Sequence, residues 1–554
     1  MKIKLVFIIS TFLIFSCLNA EIRQFKFSRK NVDLNEITRI ISIDAADHDS
    51  VIAYADDREW KVFLNHNIPY RIILPLRDTK SIDMTDDDLR NVNWSKYPTY
   101  QSYLNMMASF ARDYPGMCRI DTIGYSVRGK LLLAARITGN LDENIRKPEF
   151  FYTAQMHGDE TAASVFMLRL IDTLLSSYNY SDDIQKILDE TQIWINPIAN
   201  PDGAYYLSDS SLVGSIRYNA NSYDLNRNYP DPPHVSQPNT IARQPETLAM
   251  MDFASQRNFR MSVNFHGGAE CVNYPWDSSP ARHSETHWFE NVSHEYADTA
   301  RFYGPLTYMS GFNLGVTNGW DWYPVYGGRQ DYMTYFHHCK EVTIELTNIK
   351  MLASSSLRRY WEYNKRSLLN YIKNMGQGII ADWQPEDMIP DTVEIVTLSR
   401  LKIPIKTETL FFHYPLSEGF YDLCFHYSDS TDTLKSVEIL KGQLTDVTPS
   451  GITSIDSKKL KPEIFAVSPV YPNPFNPVTR FTISSSVSEL FEVKVFDITG
   501  RLITLLFSGH LQAGTYDMVW NGKDYTGKEV SSGVYIIQVE QSKRTVRQKA
   551  VLIR

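Results

Sequence analysis

Apolar and polar positions divide the chain into stretches of different period. From about residue 94 to 375, continuous apolar runs (131–137, 150–156, 193–198, 261–265, 342–346) alternate with runs at 100–114, 161–175 and 247–257 that carry a helical pattern. Runs apolar on both faces need cover on both sides, so this stretch predicts an α/β domain with a largely buried sheet. The preceding stretch, 21–92, reads as a small α/β leader: 50–54 alternates like a strand, Asp56 and Asp57 can cap a helix carrying Trp60, Phe63 and Leu64, and 68–74 is a further strand. An acidic loop at 83–88 leads out of it. After Met375 the pattern shortens to period two at 392–397, 410–413 and 421–427 with no helix of length, which predicts a small β-sandwich over 376–446. A Ser/Thr/Lys-rich linker (447–466) precedes a final β region, 467–554, where Gly514, Gly522, Gly527 and Gly533 punctuate hairpins.

The first twenty residues change the picture of compartment. Lys2 and Lys4, the apolar run 5–15 and Leu18-Asn-Ala20 have the form of a secretory signal. That run is shorter than the roughly 20 residues a membrane span needs, and no later stretch does better, so an exported chain without a transmembrane segment is expected. Cys17 leaves lipid attachment open as the rival reading. The remaining cysteines, Cys118, Cys271, Cys339 and Cys424, have no C-x-x-C spacing, which argues against a cysteine zinc site and leaves disulfide pairing undecided. The net charge of −8 argues against general nucleic-acid binding, and ordinary charged (22%) and aromatic (13%) content argues against a disordered chain.

Candidate chemistry sits in the α/β stretch. His157-Gly-Asp-Glu160 falls where the run 150–156 meets the helix that follows, a strand end of the kind where α/β sites collect. Alone, the two acids also suit a helix N-terminus. His266 closes a second apolar strand before Gly267-Gly268, and two imidazoles with one carboxylate leave a tetrahedral zinc site one open position, as a catalytic site requires. Glu345 is a carboxylate inside an apolar run, costly unless paired or functional.

These residues recur in a longer order: His157-x-x-Glu160, Asn200-Pro-Asp-Gly203, Arg217-Tyr-Asn-Ala-Asn-Ser-Tyr-Asp-Leu-Asn-Arg-Asn228, Gln244-Pro-Glu-Thr247, Asn264-Phe-His-Gly-Gly268, Asn273-Tyr-Pro-Trp-Asp277, Tyr323 with Gly327-Gly328, and Ile344-Glu-Leu346. In order and spacing this resembles the zinc metallocarboxypeptidases, and among them the subfamily of carboxypeptidases N, E, M and D, over about 94–375. The resemblance implies a mixed central sheet flanked by helices in a catalytic domain at 93–375, and one zinc ion per chain on His157, Glu160 and His266. It also implies Glu345 as the carboxylate that takes a proton from water and delivers it to the leaving amine. By the same resemblance Arg217 stabilises the oxyanion, Asn226 and Arg227 grip the substrate's terminal carboxylate, and Tyr323 caps the last residue. Asp277 then selects C-terminal Arg or Lys, with Gln330 at another pocket position. Arg329 and Trp320 depart from the common pattern and put the pocket's shape in question.

The flanks extend the resemblance. The leader is similar to carboxypeptidase propeptides that shield the site, and 376–446 to the transthyretin-like sandwich that follows the catalytic domain. Tyr471-Pro-Asn-Pro-Phe-Asn-Pro477, Val495-Phe-Asp-Ile-Thr-Gly500, Trp520-Asn-Gly522 and Ser532-Gly-Val-Tyr535 resemble, within an Ig-like sandwich, the sorting domain read by type IX secretion machinery of Gram-negative bacteria. The expectation is a secreted or cell-surface peptidase, exported through the periplasm, that acts on peptide or protein C-termini. Two alternatives stand beside it: a cell-wall stem-peptide peptidase of the same zinc chemistry, and a non-catalytic surface protein that binds peptide C-termini.

Overall fold

A computed structural model describes residues 22–73, 82–87, 92–141, 146–385, 387–406, 409–449, 465–468, 470, 472–485, 488–512, 514–541 and 544–554. The expected signal segment with Cys17, residues 450–464 of the expected linker, Tyr471, residue 74 of the 68–74 strand and Asp88 of the acidic loop lie outside the described residues.

An eight-stranded sheet organises the α/β domain. Its order is Val316–Asn318, Glu270–Tyr274, Lys340–Leu346, Phe259–His266, Glu149–Ala154, Gln192–Asn196, Leu131–Ile137, Cys118–Tyr125. The four strands from Lys340–Leu346 to Gln192–Asn196 run parallel, and antiparallel pairings flank them on either side. The sheet is therefore mixed, with the apolar runs at its buried centre. Helices Tyr100–Asp113, Ala162–Ser177, Thr286–Tyr303 and Ser354–Lys373 share one apolar core with the sheet, while Met250 and Phe253 of Pro245–Ser255 and Tyr332 and Met333 of Arg329–Phe336 pack in a second. Both faces are covered, as continuous apolar strands require.

Two long helices, Thr286–Tyr303 and Ser354–Lys373, are not anticipated by the apolar runs. Their buried sides are built from residues such as Trp288, Val292, Tyr296 and Ala300, spaced four apart but set among charges and aromatic residues. Polar and charged residues are interspersed along both helices, so only the spacing marks the buried stripe.

The leader forms a four-stranded antiparallel sheet in the order Ser42–Ala46, Ser50–Ala55, Arg23–Ser28, Tyr70–Ile72. Asp56 accepts from the Arg58 and Glu59 amides and Glu59 returns to the Asp56 amide, a reciprocal cap that starts Asp57–Leu64. Phe25, Phe27 and Phe63 fill its core, which continues without a break into Trp322, Tyr323 and Val325 of the α/β domain. The leader is thus docked, through its edge strand Ser42–Ala46, on the face that carries the strand ends.

Among the described residues two β-sandwiches follow the α/β domain. The first pairs Phe411–Pro415, Gly378–Asp382 and Leu444–Asp446 in one sheet with Leu401–Pro404, Thr392–Ile395, Gly419–His426 and Thr431–Ile439 in the other. The second pairs Phe465–Val467, Thr479–Ser485 and Gly514–Trp520 with Leu502–Leu511, Glu489–Asp497, Gly533–Gln541 and Arg544–Leu552. Cys118, Cys271, Cys339 and Cys424 are all free thiols. Among the described residues no helix is long and apolar enough to cross a membrane.

Candidate active site

Three parallel strands deliver their carboxyl ends to one point. Phe259–His266 ends on His266, whose ladder partner in Lys340–Leu346 is Glu345. From Glu149–Ala154 the chain turns through Gln155, held at φ 56°, to present His157 and Glu160. Gly158 is required in that turn, because a Cβ there would collide with the backbone of Gly203, the last residue of Asn200-Pro-Asp-Gly203.

His157 Nδ1 lies 2.8 Å from Glu160 Oε1 and 3.0 Å from His266 Nδ1, and His266 Nδ1 lies 2.9 Å from Glu160 Oε2. A tetrahedral zinc with bonds near 2.0–2.1 Å separates its ligands by about 3.3 Å. The triad is that set closed inward by a few tenths of an ångström, and it is the one buried group among the described residues with metal-ligand convergence. Burial holds the His266 imidazole down at about 4, against the opposing pull of Glu160, so it is a neutral donor. Burial alone would raise the Glu160 carboxyl, but His157, His266 and Lys350 outweigh it and hold it well below the usual range. These residues fit zinc.

The outer nitrogens are also held. Asp224 Oδ1 lies 3.1 Å from His157 Nε2, and the Asn264 amide 2.8 Å from His266 Nε2, which turns each Nδ1 inward. Asp224 also accepts from Arg217 Nε at 2.9 Å. Asp224 was not singled out in the sequence, although it stands two residues before Asn226; the signal is its place inside the long arginine-containing motif. Lys350, 3.3 Å from Glu160 Oε1, was also missed. Its only signal is its nearness to Glu345 along the chain.

Glu345 borders the cleft, and its Oε2 is buried with no hydrogen-bond partner. Burial, reinforced by the neighbouring Glu160 charge, pushes its carboxyl well above the ordinary value. Arg217, Asn226, Arg227, Tyr323 and Asp277 line the same cleft. Asp277 is held in place on several sides: Asn273 Nδ2 donates to Oδ1 at 3.1 Å and Gln330 Nε2 at 2.9 Å, while Asp331 accepts from the Asp277 and Ser278 amides and fixes the turn. No cation among the described residues pairs with Asp277 at ion-pair distance. Burial, then the nearby Asp331 charge, pushes its carboxyl well up. Gly319 packs against it so closely that a Cβ would overlap Oδ1. Gln330, bonded to Asp277, is not among the residues lining the cleft. Arg329 is drawn into the core by Glu341 at 3.0 Å, and neither it nor Trp320 is among the residues lining the cleft.

The leader reaches into this cleft. Asp44 accepts from Arg217 at 3.0 Å and pairs with Lys350, the Ile43 carbonyl accepts from Arg227 at 2.9 Å, and the Asp44 carbonyl accepts from Tyr323 Oη at 3.3 Å. Ser42 donates to Asp224. What remains open is about 30 Å³, room for about one water.

Residues 103–367 match the Peptidase_M14 family, zinc carboxypeptidase, and residues 476–545 match the FlgD Ig-like domain. Carboxypeptidase M of Mus musculus is 36% identical over 287 residues, 49% of this chain and 64% of that protein. Carboxypeptidase D of Drosophila melanogaster is 34% identical over 301 residues, 51% of this chain and 21% of that protein. The chain thus spans less than two thirds of the length of these relatives. Among solved structures, thrombin activatable fibrinolysis inhibitor superposes with a TM-score of 0.50 at 16% identity, covering 64% of this chain and 98% of that one. That likeness establishes the metallocarboxypeptidase α/β fold.

Proposed function

We propose that the protein is an exported zinc metallocarboxypeptidase that removes C-terminal Arg or Lys, made with its leader closing the site. The observation that carries the specificity is Asp277, a buried carboxyl lining the cleft with no ion-pair partner among the described residues. A substrate ending in Arg or Lys supplies that partner. An apolar end leaves the acid unpaired, which costs about 3–5 kcal/mol, or roughly two to three orders of magnitude in kcat/KM.

A zinc ion on His157, Glu160 and His266 would supply Lewis acidity and make water in the cleft a stronger acid. Glu345, raised and unpaired at Oε2, takes the proton of the attacking water and passes it to the departing amine. Arg217 faces the charge that develops on the carbonyl oxygen. Asn226 and Arg227 hold the substrate's terminal carboxylate, for which the guanidinium fork is shaped, and Tyr323 closes over the last residue. In the resting chain Asp44 and the Ile43 carbonyl occupy Arg217, Lys350 and Arg227 in the substrate's place. The sandwich at 376–446 is read as transthyretin-like support, and the last domain as the type IX sorting signal that exports the enzyme to the cell surface or medium.

The test is the zinc-loaded, leader-cleaved protein and its Glu345→Gln variant on peptides ending in Arg, Lys, Phe and diaminopimelate, with products identified by mass. Release of Arg or Lys that falls by at least about a hundredfold in the variant supports the reading. Full activity in the variant contradicts the mechanism, preference for diaminopimelate favours the cell-wall alternative, and binding without release favours the non-catalytic one.

A further inference from the structure

The small sandwich carries a second convergence of metal-binding side chains, independent of the cleft. Glu394 on Thr392–Ile395 stands directly opposite Cys424 on Gly419–His426, and His426, two residues further, projects from the same outer face. A carboxylate oxygen, the thiol sulfur and an imidazole nitrogen all lie within 4.8 Å of one another. His426 Nε2 is 2.6 Å from Glu394 Oε2. The core side chains Val393, Ile395, Leu423 and Phe425 fill the opposite face of the same two strands, so this face is not needed for packing.

Two features point to a ligand rather than a plain ion pair. Glu394 is 0% exposed, and its Oε1 makes no hydrogen bond, its one partner among the described residues being the ion pair to the exposed Arg400 at 2.7 Å. Cys424 is a free, partly exposed thiol whose polar neighbour is Thr433 Oγ1 at 3.8 Å. A thiol, an imidazole and a carboxylate on two hydrogen-bonded strands form a tripod that suits a borderline-soft divalent ion such as zinc, with water at the fourth position. Two cations oppose this. Arg400 Nε sits 2.7 Å from Glu394 Oε1, and Lys402 is the ladder partner of Glu394 on the other side. The Arg400 side chain is 68% exposed and can swing away when a divalent ion takes its place. We infer that Glu394, Cys424 and His426 form a second, surface zinc site in the small sandwich.

The test uses the full chain prepared under reducing conditions. Metal analysis after dialysis against micromolar zinc should give two ions for the wild type and one for Cys424→Ser. Replacing zinc with cobalt should give a near-ultraviolet thiolate-to-cobalt absorption band. The cleft triad contains no cysteine, so this band reports only the sandwich site, and it should vanish in Cys424→Ser and weaken at least tenfold in His426→Gln. Thermal melting of metal-free Cys424→Ser at the wild-type temperature shows that the variant folds. One zinc in the wild type, or a cobalt-loaded wild type without the band, overturns the inference. So does a second ion that persists unchanged in Cys424→Ser.

Discussion

Asp277 and Asp224 are two buried acids of the cleft region held in different ways. Asp277 is already fully placed by Asn273, Gln330 and the Asp331 turn, so its replacement removes charge without moving backbone. Asp277→Asn should therefore lower kcat/KM for peptides ending in Arg by about 100-fold or more and raise it for a Phe-ending peptide, which then no longer leaves a buried acid unpaired, as measured by steady-state kinetics. Asp224 acts through another residue, holding the outer nitrogen of His157. Asp224→Asn should weaken zinc binding by about 10–100-fold, read by competition with a chelator of known affinity. Both acids lie inside motifs quoted from the sequence, but only Asp277 is assigned a role there. Its position relative to His266 matched a known pattern, whereas the contact between Asp224 and His157 spans 67 residues and exists only after the strand ends converge.

At the scale of elements, local pattern carried the central strands and failed where burial is aromatic and mixed. The runs at 131–137, 261–265 and 342–346 fall inside Leu131–Ile137, Phe259–His266 and Lys340–Leu346, because a strand buried on both faces writes itself as a continuous apolar run. Helices Thr286–Tyr303 and Ser354–Lys373 bury Trp and Tyr between charges and gave no such run. The leader's own strand and capped helix were legible, but the seat of its edge strand was not. Nothing in Ser42-Ile-Asp-Ala-Ala46 announces that Asp44 meets Arg217 and Lys350. That contact makes a prediction of its own. Chain freed of residues 21–92 should hydrolyse a C-terminal Arg peptide at least ten times faster than intact chain, and Asp44→Asn in the intact chain should recover part of that gain. Equal rates for all three forms would show that the leader does not guard the site.

At the scale of the whole molecule, the small sandwich is bound to the α/β domain through buried polar groups. Lys340 pairs with Glu285 and donates to the Pro415 carbonyl, and Tyr414 donates to Glu285. His413, fully buried, donates from Nε2 to the Met375 carbonyl at 2.8 Å. Burial, only partly opposed by that hydrogen bond, holds its imidazole down at about 3 against an ordinary 6.5. The unfolded chain takes up this proton near pH 6.5 and the folded chain only near pH 3. The stability due to neutral His413 is therefore complete above 6.5 and drains away as pH falls toward 3. In chelator-treated protein, the drop in melting temperature from pH 7 to pH 4.5 should be smaller for His413→Gln than for wild type. Such an interface explains why composition and period divided the chain into stretches but did not reveal how they are joined. The proposed function rests on Asp277 meeting a basic last residue in the cleft. Its most direct measurement is the ratio of kcat/KM for two peptides differing only in a last residue of Arg or Phe, with zinc-loaded, leader-cleaved protein. A ratio of about 100 or more in favour of Arg is the predicted result, and a ratio near one would contradict it.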